Sequence, residues 1–231
     1  MFQGFLPQAQ EFLWGIRLHN ERPWFLEHKE EYQTLIAQPM QLLAQEVFAR
    51  FQEVSPGSPL TLRVSRIYRD ARRLHGRGPY KDHMWFVMHR PHDREEAEAG
   101  IPAFFFELAP EGYSIGMGCY DASPLTMEKL RARIGRDPAP LETLARKLNR
   151  QKDYTLQGQE YKRPKGDPGP LLFPWYNRRS IALCRECNWE GTLFSSGLVS
   201  QIVSGFVFLT PYYDYLTSLS ADPNPRLPRE E

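Results

Sequence analysis

Residues 103–120 read AFFFELAPEGYSIGMGCY, and this stretch decides the fold. Ala103 to Leu108 has the composition of one strand. Pro110-Glu111-Gly112 makes a tight turn, and Tyr113 to Tyr120 returns as the next strand. Upstream, His83 to His89 reads as another strand, and the acidic stretch between Pro91 and Gly100 reads as a solvated hairpin loop. Further upstream, Leu60, Leu62 and Val64 share one face of a first strand that follows the turn cluster Ser55-Pro56-Gly57-Ser58-Pro59. Consecutive strands joined by short turns form a meander, so the sheet is expected to be mostly antiparallel.

Helices are expected on both sides of this meander. Phe5, Ala9, Phe12 and Ile16 recur at helical spacing. Asn20 is expected to cap a second helix, with Pro23 in its first turn, where backbone donors are free. Trp24, His28, Tyr32 and Ile36 form its stripe, and Met40 to Phe51 resumes the pattern after Pro39. Ser123-Pro124 and Asp137-Pro138 start two further helices. Tyr154 to Arg163 reads as a short hairpin, Ser180 to Cys184 as a strand, and Ser196 to Leu219 as a closing helix interrupted at Pro211. The expectation is an α+β fold in a single domain over residues 1–221, with N-terminal helices, a C-terminal closing helix and a frayed Pro-rich tail over 222–231.

The bulk composition narrows the function classes. The chain has 231 residues, 41% hydrophobic and 25% charged, with a formal charge of +1. That balance gives no global field for nucleic acid or anionic lipid. No leader-like N-terminus and no membrane-length apolar run stand out, and three cysteines are too few for a disulfide framework. A soluble protein of the reducing cytoplasm is expected.

Charge is concentrated in one place. Residues 63–83 carry seven basic and two acidic side chains. Continuing the alternation of Leu60, Leu62 and Val64 places Arg66, Tyr68 and Asp70 on the same face. Burying such groups unpaired is costly, so they must pair with one another, with water or with a ligand. One reading is an anion pocket in which Arg66, Arg69 and Lys81 hold a phosphate or carboxylate beneath backbone N–H groups near Gly76 and Gly78. A second is an internal Arg66–Asp70 ion pair that pins the strand end. A third is a basic surface of Arg63, Arg69 and Arg73 for nucleic acid or protein, although a specific nucleic-acid partner is not expected. His83 and Asp70 are the candidates for proton transfer, since His83 follows Lys81 by two on the same side of its strand.

Four stretches together resemble the family catalogued as domain of unknown function 2461. They are Asn20-Glu21-Arg22-Pro23-Trp24-Phe25 with His28, Lys29 and Tyr32; Arg66-Ile67-Tyr68-Arg69-Asp70-Ala71-Arg72 with Pro79-Tyr80-Lys81 and His83; Phe105-Phe106-Glu107-Leu108 with Gly112 and Gly116 to Tyr120; and Tyr161-Lys162-Arg163-Pro164. The resemblance implies a fold and a site, with Arg72, Tyr80 and Arg163 joining the ligand-binding set, and it implies no activity or cofactor.

Other features carry weaker chemistry. His28 on an apolar stripe reads as a hydrogen-bonded core residue more readily than as a base. Gly116 and Gly118 leave one strand face bare, which suits close packing or a ligand lying flat. Cys184 and Cys187 lack a second pair, so no metal is expected. Phosphate-loop and zinc-protease motifs are absent from the sequence.

Overall fold

A computed structural model describes residues 1–57, 59–70, 72, 76, 78–91 and 100–227. The expected loop between Pro91 and Gly100 falls almost wholly outside these residues, as do Arg73, Leu74, His75 and Arg77. The fold is α+β. The N-terminal helices are α1 (Gln8–Leu18), α2 (Arg22–Glu27), α3 (Lys29–Glu31), a π-helical turn (Tyr32–Ala37) and α4 (Gln38–Val54). Strands β1 (Thr61–Val64), β2 (Met84–His89), β3 (Ala103–Ala109) and β4 (Gly112–Cys119) follow. Next come α5 (Pro124–Arg136), α6 (Ala139–Asn149), β5 (Thr155–Gln157), α7 (Phe173–Tyr176), β6 (Ile181–Cys187) and the long α8 (Gly197–Ser218).

The six strands run in the order β1-β2-β3-β4-β6-β5, so the expected meander supplies the first four places. Strands β1 and β2 pair antiparallel, with Thr61 opposite His89 and Val64 opposite Phe86. Tyr154 to Arg163 is not a hairpin on itself: β5 pairs antiparallel with β6, with Thr155 opposite Cys184. Three residues of strand gain more from a seven-residue partner than from each other.

The described residues group into two compact units. The first comprises residues 1–90, 105–115 and 186–207. Its core is aromatic: Phe106 stacks on Phe5 and Phe86, and Phe51 meets Phe206 edge to face. Ala9, Phe12, Leu13 and Ile16 of α1, and Met40, Leu43 and Val47 of α4, are buried in it. The second comprises residues 91–104, 116–185 and 208–231. There Phe104 stacks on Tyr213 with ring centroids 4.4 Å apart, and Tyr154 stacks on Phe208. The stretch expected to fray from Asp222 onward is tied back as far as Arg226. Asp222 takes two hydrogen bonds of 2.7 Å from Arg133, and Arg226 reaches Glu128 at 2.6 Å.

Two local expectations are corrected. Asn20 does not cap α2. Glu21 stands at that position, and the Asn20 amide is engaged with Tyr80 instead. Pro211 does not interrupt the closing helix, which runs through it. The carbonyl left without its donor belongs to Val207, one turn earlier. Val207 is exposed, so water can satisfy it.

Candidate functional site

The basic segment leaves the sheet at Ser65. Its N–H donates to the Trp85 carbonyl at 2.8 Å, and the Trp85 N–H is taken by the Ser65 hydroxyl at 3.0 Å rather than by backbone. The side chain thus ends the ladder and shifts the alternation by one residue. Ser65 and Ile67 are buried, whereas Arg66, Tyr68 and Asp70 are exposed. This reverses the expected burial, because two small or apolar groups go inward where three polar ones would have been desolvated. A second short ladder follows, in which Arg69 N–H donates to Pro79 O and Lys81 N–H to Ile67 O. Tyr68 bridges Tyr80 there, and the buried Tyr80 ring stacks on Phe25 at 4.1 Å.

The expected Arg66–Asp70 ion pair is not formed. Asp70 turns locally onto Arg72, accepting from its backbone N–H at 3.0 Å and from its guanidinium at 2.9 Å. Both are exposed, so this pair lends little stability. Among the described residues no hydrogen bond or ion pair engages the Arg66 guanidinium. Arg66 and Tyr68 line an open groove of about 340 Å³. Lys29, Tyr32 and Gln33 face them across it, with Phe25 and Met84 supplying apolar surface. Tyr32 and Gln33 belong to the π-helical turn, and such turns widen a helix locally and recur at functional sites. Burial, with the nearby Tyr68, pushes the Tyr32 phenol up to about 12 and keeps it protonated.

A second cluster gathers around Asp82. Its carboxylate accepts from Arg17 Nε at 2.5 Å and from His83 Nδ1 at 2.9 Å, and pairs with Arg69 at 3.4 Å. Arg69 also donates to Tyr80 O at 2.7 Å, and Arg17 extends to Glu111. Burial raises the Asp82 carboxyl, but the hydrogen bonds from His83 and Arg17 outweigh it and hold the group at about 2. Glu107, on the face of β3 opposite Phe106 and Leu108, is affected in the other direction. Its carboxyl is raised chiefly by burial, with the Asp82 charge adding and His83 opposing. Because the Asp82 carboxylate can only accept, His83 Nδ1 carries the proton in that bond, which leaves Nε2 as the imidazole's other site.

Lys81 neither lines the groove nor pairs with Asp82. Its Nζ donates to Arg66 O at 2.5 Å and sits 4.2 Å from the Trp85 ring centroid. His83 stacks on the same Trp85 ring at 5.5 Å. Burial and the charges of Arg63, Arg66 and Arg69 lower the Lys81 ammonium to about 8. The predicted ligand set is therefore divided. Arg66 and Tyr68 share the groove, Arg69 and His83 share Asp82, Lys81 lies over Trp85, and Arg72 is occupied by Asp70. Arg163 is exposed in the second unit.

A family model described as "Conserved hypothetical protein (DUF2461)" matches residues 8–215. The chain belongs to this family. No curated protein matches it. The stretches that carry the DUF2461 resemblance in the first unit converge on these clusters. Asn20 binds Tyr80, Phe25 stacks on Tyr80, and Glu107 is electrostatically linked to His83.

Sequence reasoning missed Arg17, Asp82 and Glu107 as site residues. Glu107 had a usable signal, a lone acid in the apolar run AFFFELA. Arg17 had none, because its partner is 65 positions away. Elsewhere, His28 donates from Nδ1 to Trp24 O at 2.8 Å and stacks on that indole, as a structural histidine would. Gly118 is a close strand approach, where a Cβ would run into the backbone of Ile181 and Ala182. Cys119, Cys184 and Cys187 form no disulfide, and no metal-binding cluster occurs among the described residues.

Proposed function

We propose that this protein binds a small anionic molecule, one with a flat apolar body and a phosphate or carboxylate, in the groove beside Arg66. The observation that carries the reading is the Arg66 guanidinium, exposed on the groove wall with no acidic partner among the described residues. Lys29 gives the groove a second cation, and the 57% exposed Tyr68 offers a ring for stacking. Planar guanidinium forks suit oxyanions, and aromatic walls suit flat ligands. His83 and Asp82 form an acid–base pair outside the lining of this groove. Three cysteines outside any disulfide support a reducing compartment.

Thermal-shift titration with phenyl phosphate and inorganic phosphate tests this reading. At a hundredfold excess over Kd the linked stabilisation is about 2.7 kcal/mol. That corresponds to roughly 5–10 °C in Tm for a chain of this size. Phenyl phosphate should stabilise more than phosphate alone, and Arg66→Ala should abolish the shift. A wild type that ignores both compounds, or an Arg66→Ala variant that responds in full, would refute the assignment.

A further inference from the structure

Lys81 occupies surroundings that a structural or merely solubilising lysine does not need. Its amine has no carboxylate partner among the described residues, although Asp82 is the next residue in the chain. Asp82 spends its oxygens on Arg17, His83 and Arg69. Lys81 Nζ is positioned by two neutral contacts, the Arg66 carbonyl at 2.5 Å and the Trp85 ring at 4.2 Å. The charges of Arg63, Arg66 and Arg69 act on it. Arg63 lies on β1 opposite Val87 of β2, two residues from Trp85 on that strand. Arg66 supplies the carbonyl just described, and the Arg69 N–H closes the adjoining ladder. Like charges gathered in this way cost stability, and functional sites are where such a cost is maintained.

We propose that Lys81 is a nucleophilic amine that condenses with an aldehyde or ketone bearing a carboxylate or phosphate. The neutral amine adds its lone pair to the carbonyl carbon, and a proton passes from nitrogen to oxygen to give the carbinolamine. The nitrogen lone pair then forms the C=N bond as the hydroxyl leaves, protonated, as water. One water is released, and no oxidant or reductant is required. His83 is the side chain placed to deliver the proton to the departing hydroxyl. It stacks on the same Trp85 ring, and its Nδ1 is fixed by Asp82. Arg66 is the charge that would favour an anionic carbonyl compound over a neutral one.

The physical requirement is an amine that is neutral near physiological pH. The Trp85 ring and the Arg66 carbonyl favour the ammonium, whereas burial and the three guanidiniums oppose it. The balance lowers the group from 10.5 to about 8. At about pH 7.5 this raises the neutral fraction roughly two hundredfold over an unperturbed lysine. The lower intrinsic nucleophilicity of a less basic amine offsets part of that gain, leaving an advantage of about tenfold. The proposal stands apart from the groove, because Lys81 is not among the groove's lining residues.

The test is reductive trapping on the full chain at about pH 7.5, followed by peptide mapping by mass spectrometry. The probes are pyridoxal 5′-phosphate, glyoxylate and the neutral acetaldehyde, each with cyanoborohydride. Lys81 should be labelled about tenfold faster than the exposed Lys152. The two anionic probes should show this selectivity and acetaldehyde should show less of it. The comparison of pyridoxal phosphate with glyoxylate identifies the preferred anion. Inorganic phosphate should slow the pyridoxal phosphate reaction, and Arg66→Gln should slow both anionic probes. Labelling of Lys81 no faster than Lys152 overturns the proposal, and equal selectivity with acetaldehyde overturns its anionic part. The wild type alone decides the matter if a variant fails to fold. Failure here leaves the groove reading intact, since that is tested by phenyl phosphate binding without any carbonyl.

Discussion

The side-chain amide of Asn20 pairs with the backbone of Tyr80 in both directions, donating to its carbonyl at 2.9 Å and accepting from its N–H at 2.9 Å. A side chain thus takes the place of a neighbouring strand. It fixes the loop that precedes α2 against the segment that carries Lys81 and Asp82. Gly78 is required beside it, since a Cβ there would strike the Asn20 side chain and backbone. Asn20→Asp keeps the acceptor but sets a carboxylate against the Tyr80 carbonyl. It should cost about 2 kcal/mol, close to the value for Asn20→Ala. Urea unfolding checks this, and an Asp variant as stable as the wild type would show that the pairing contributes nothing.

The two carboxyls of the second cluster should give opposite pH signatures. The Asp82 value in the folded protein is depressed from 3.8 to about 2. Its contribution is therefore complete above the unfolded value and is lost as pH falls through the folded one. Glu107 is raised, so the folded protein favours its protonated form. Its charge costs stability as pH rises above the ordinary value of 4.5. Glu107→Gln should accordingly be more stable than the wild type at neutral pH, with the difference vanishing below about pH 4. Chemical denaturation across pH measures it. A Gln variant that is less stable at neutral pH would mean that the Glu107 charge is stabilising.

Much of this architecture was legible in the sequence. The alternation of 103–120, the turns around it and the helical stripes on both sides have local causes, and local causes survive into the fold. The site was legible only as a region. The alternation of Leu62 and Val64 failed at Ser65 because a hydroxyl replaced a backbone acceptor, which one-dimensional periodicity does not record. The choice of Asp82 over Asp70 as the central acid depended on Arg17 arriving from α1. Asp70 has an arginine two residues away and needs nothing distant.

We predict that the two compact units unfold together. The chain passes between them within β3, β4, β6 and α8, so neither unit is a continuous stretch of sequence. Melting one unit would require breaking elements that continue into the other. Calorimetry should give one transition, with calorimetric and van't Hoff enthalpies in agreement. Two resolved transitions would show that the units are independent.

The sharpest contrast lies between Asp82 and Arg66. Strand alternation alone would make Arg66 the buried, stability-bearing charge. In the structure Arg66 is exposed, while the Asp82 side chain keeps 16% of its accessible surface. Asp82→Asn would remove the charge shared by Arg17, Arg69 and His83 and would set an amide N–H₂ or a weaker acceptor against three donors. The partners retain some access to water, so the cost is less than for a fully buried network, about 2–3 kcal/mol. Arg66→Ala removes a solvated side chain and should change stability by no more than about 0.5 kcal/mol. Urea denaturation of both variants, with unchanged m-values, decides between the two arrangements. If Arg66→Ala is the more damaging substitution, the inward face of this segment is the one that carries Arg66, and the groove assignment fails with it. If Asp82→Asn is the more damaging, the charge network is anchored on Asp82, and Arg66 is left to serve binding.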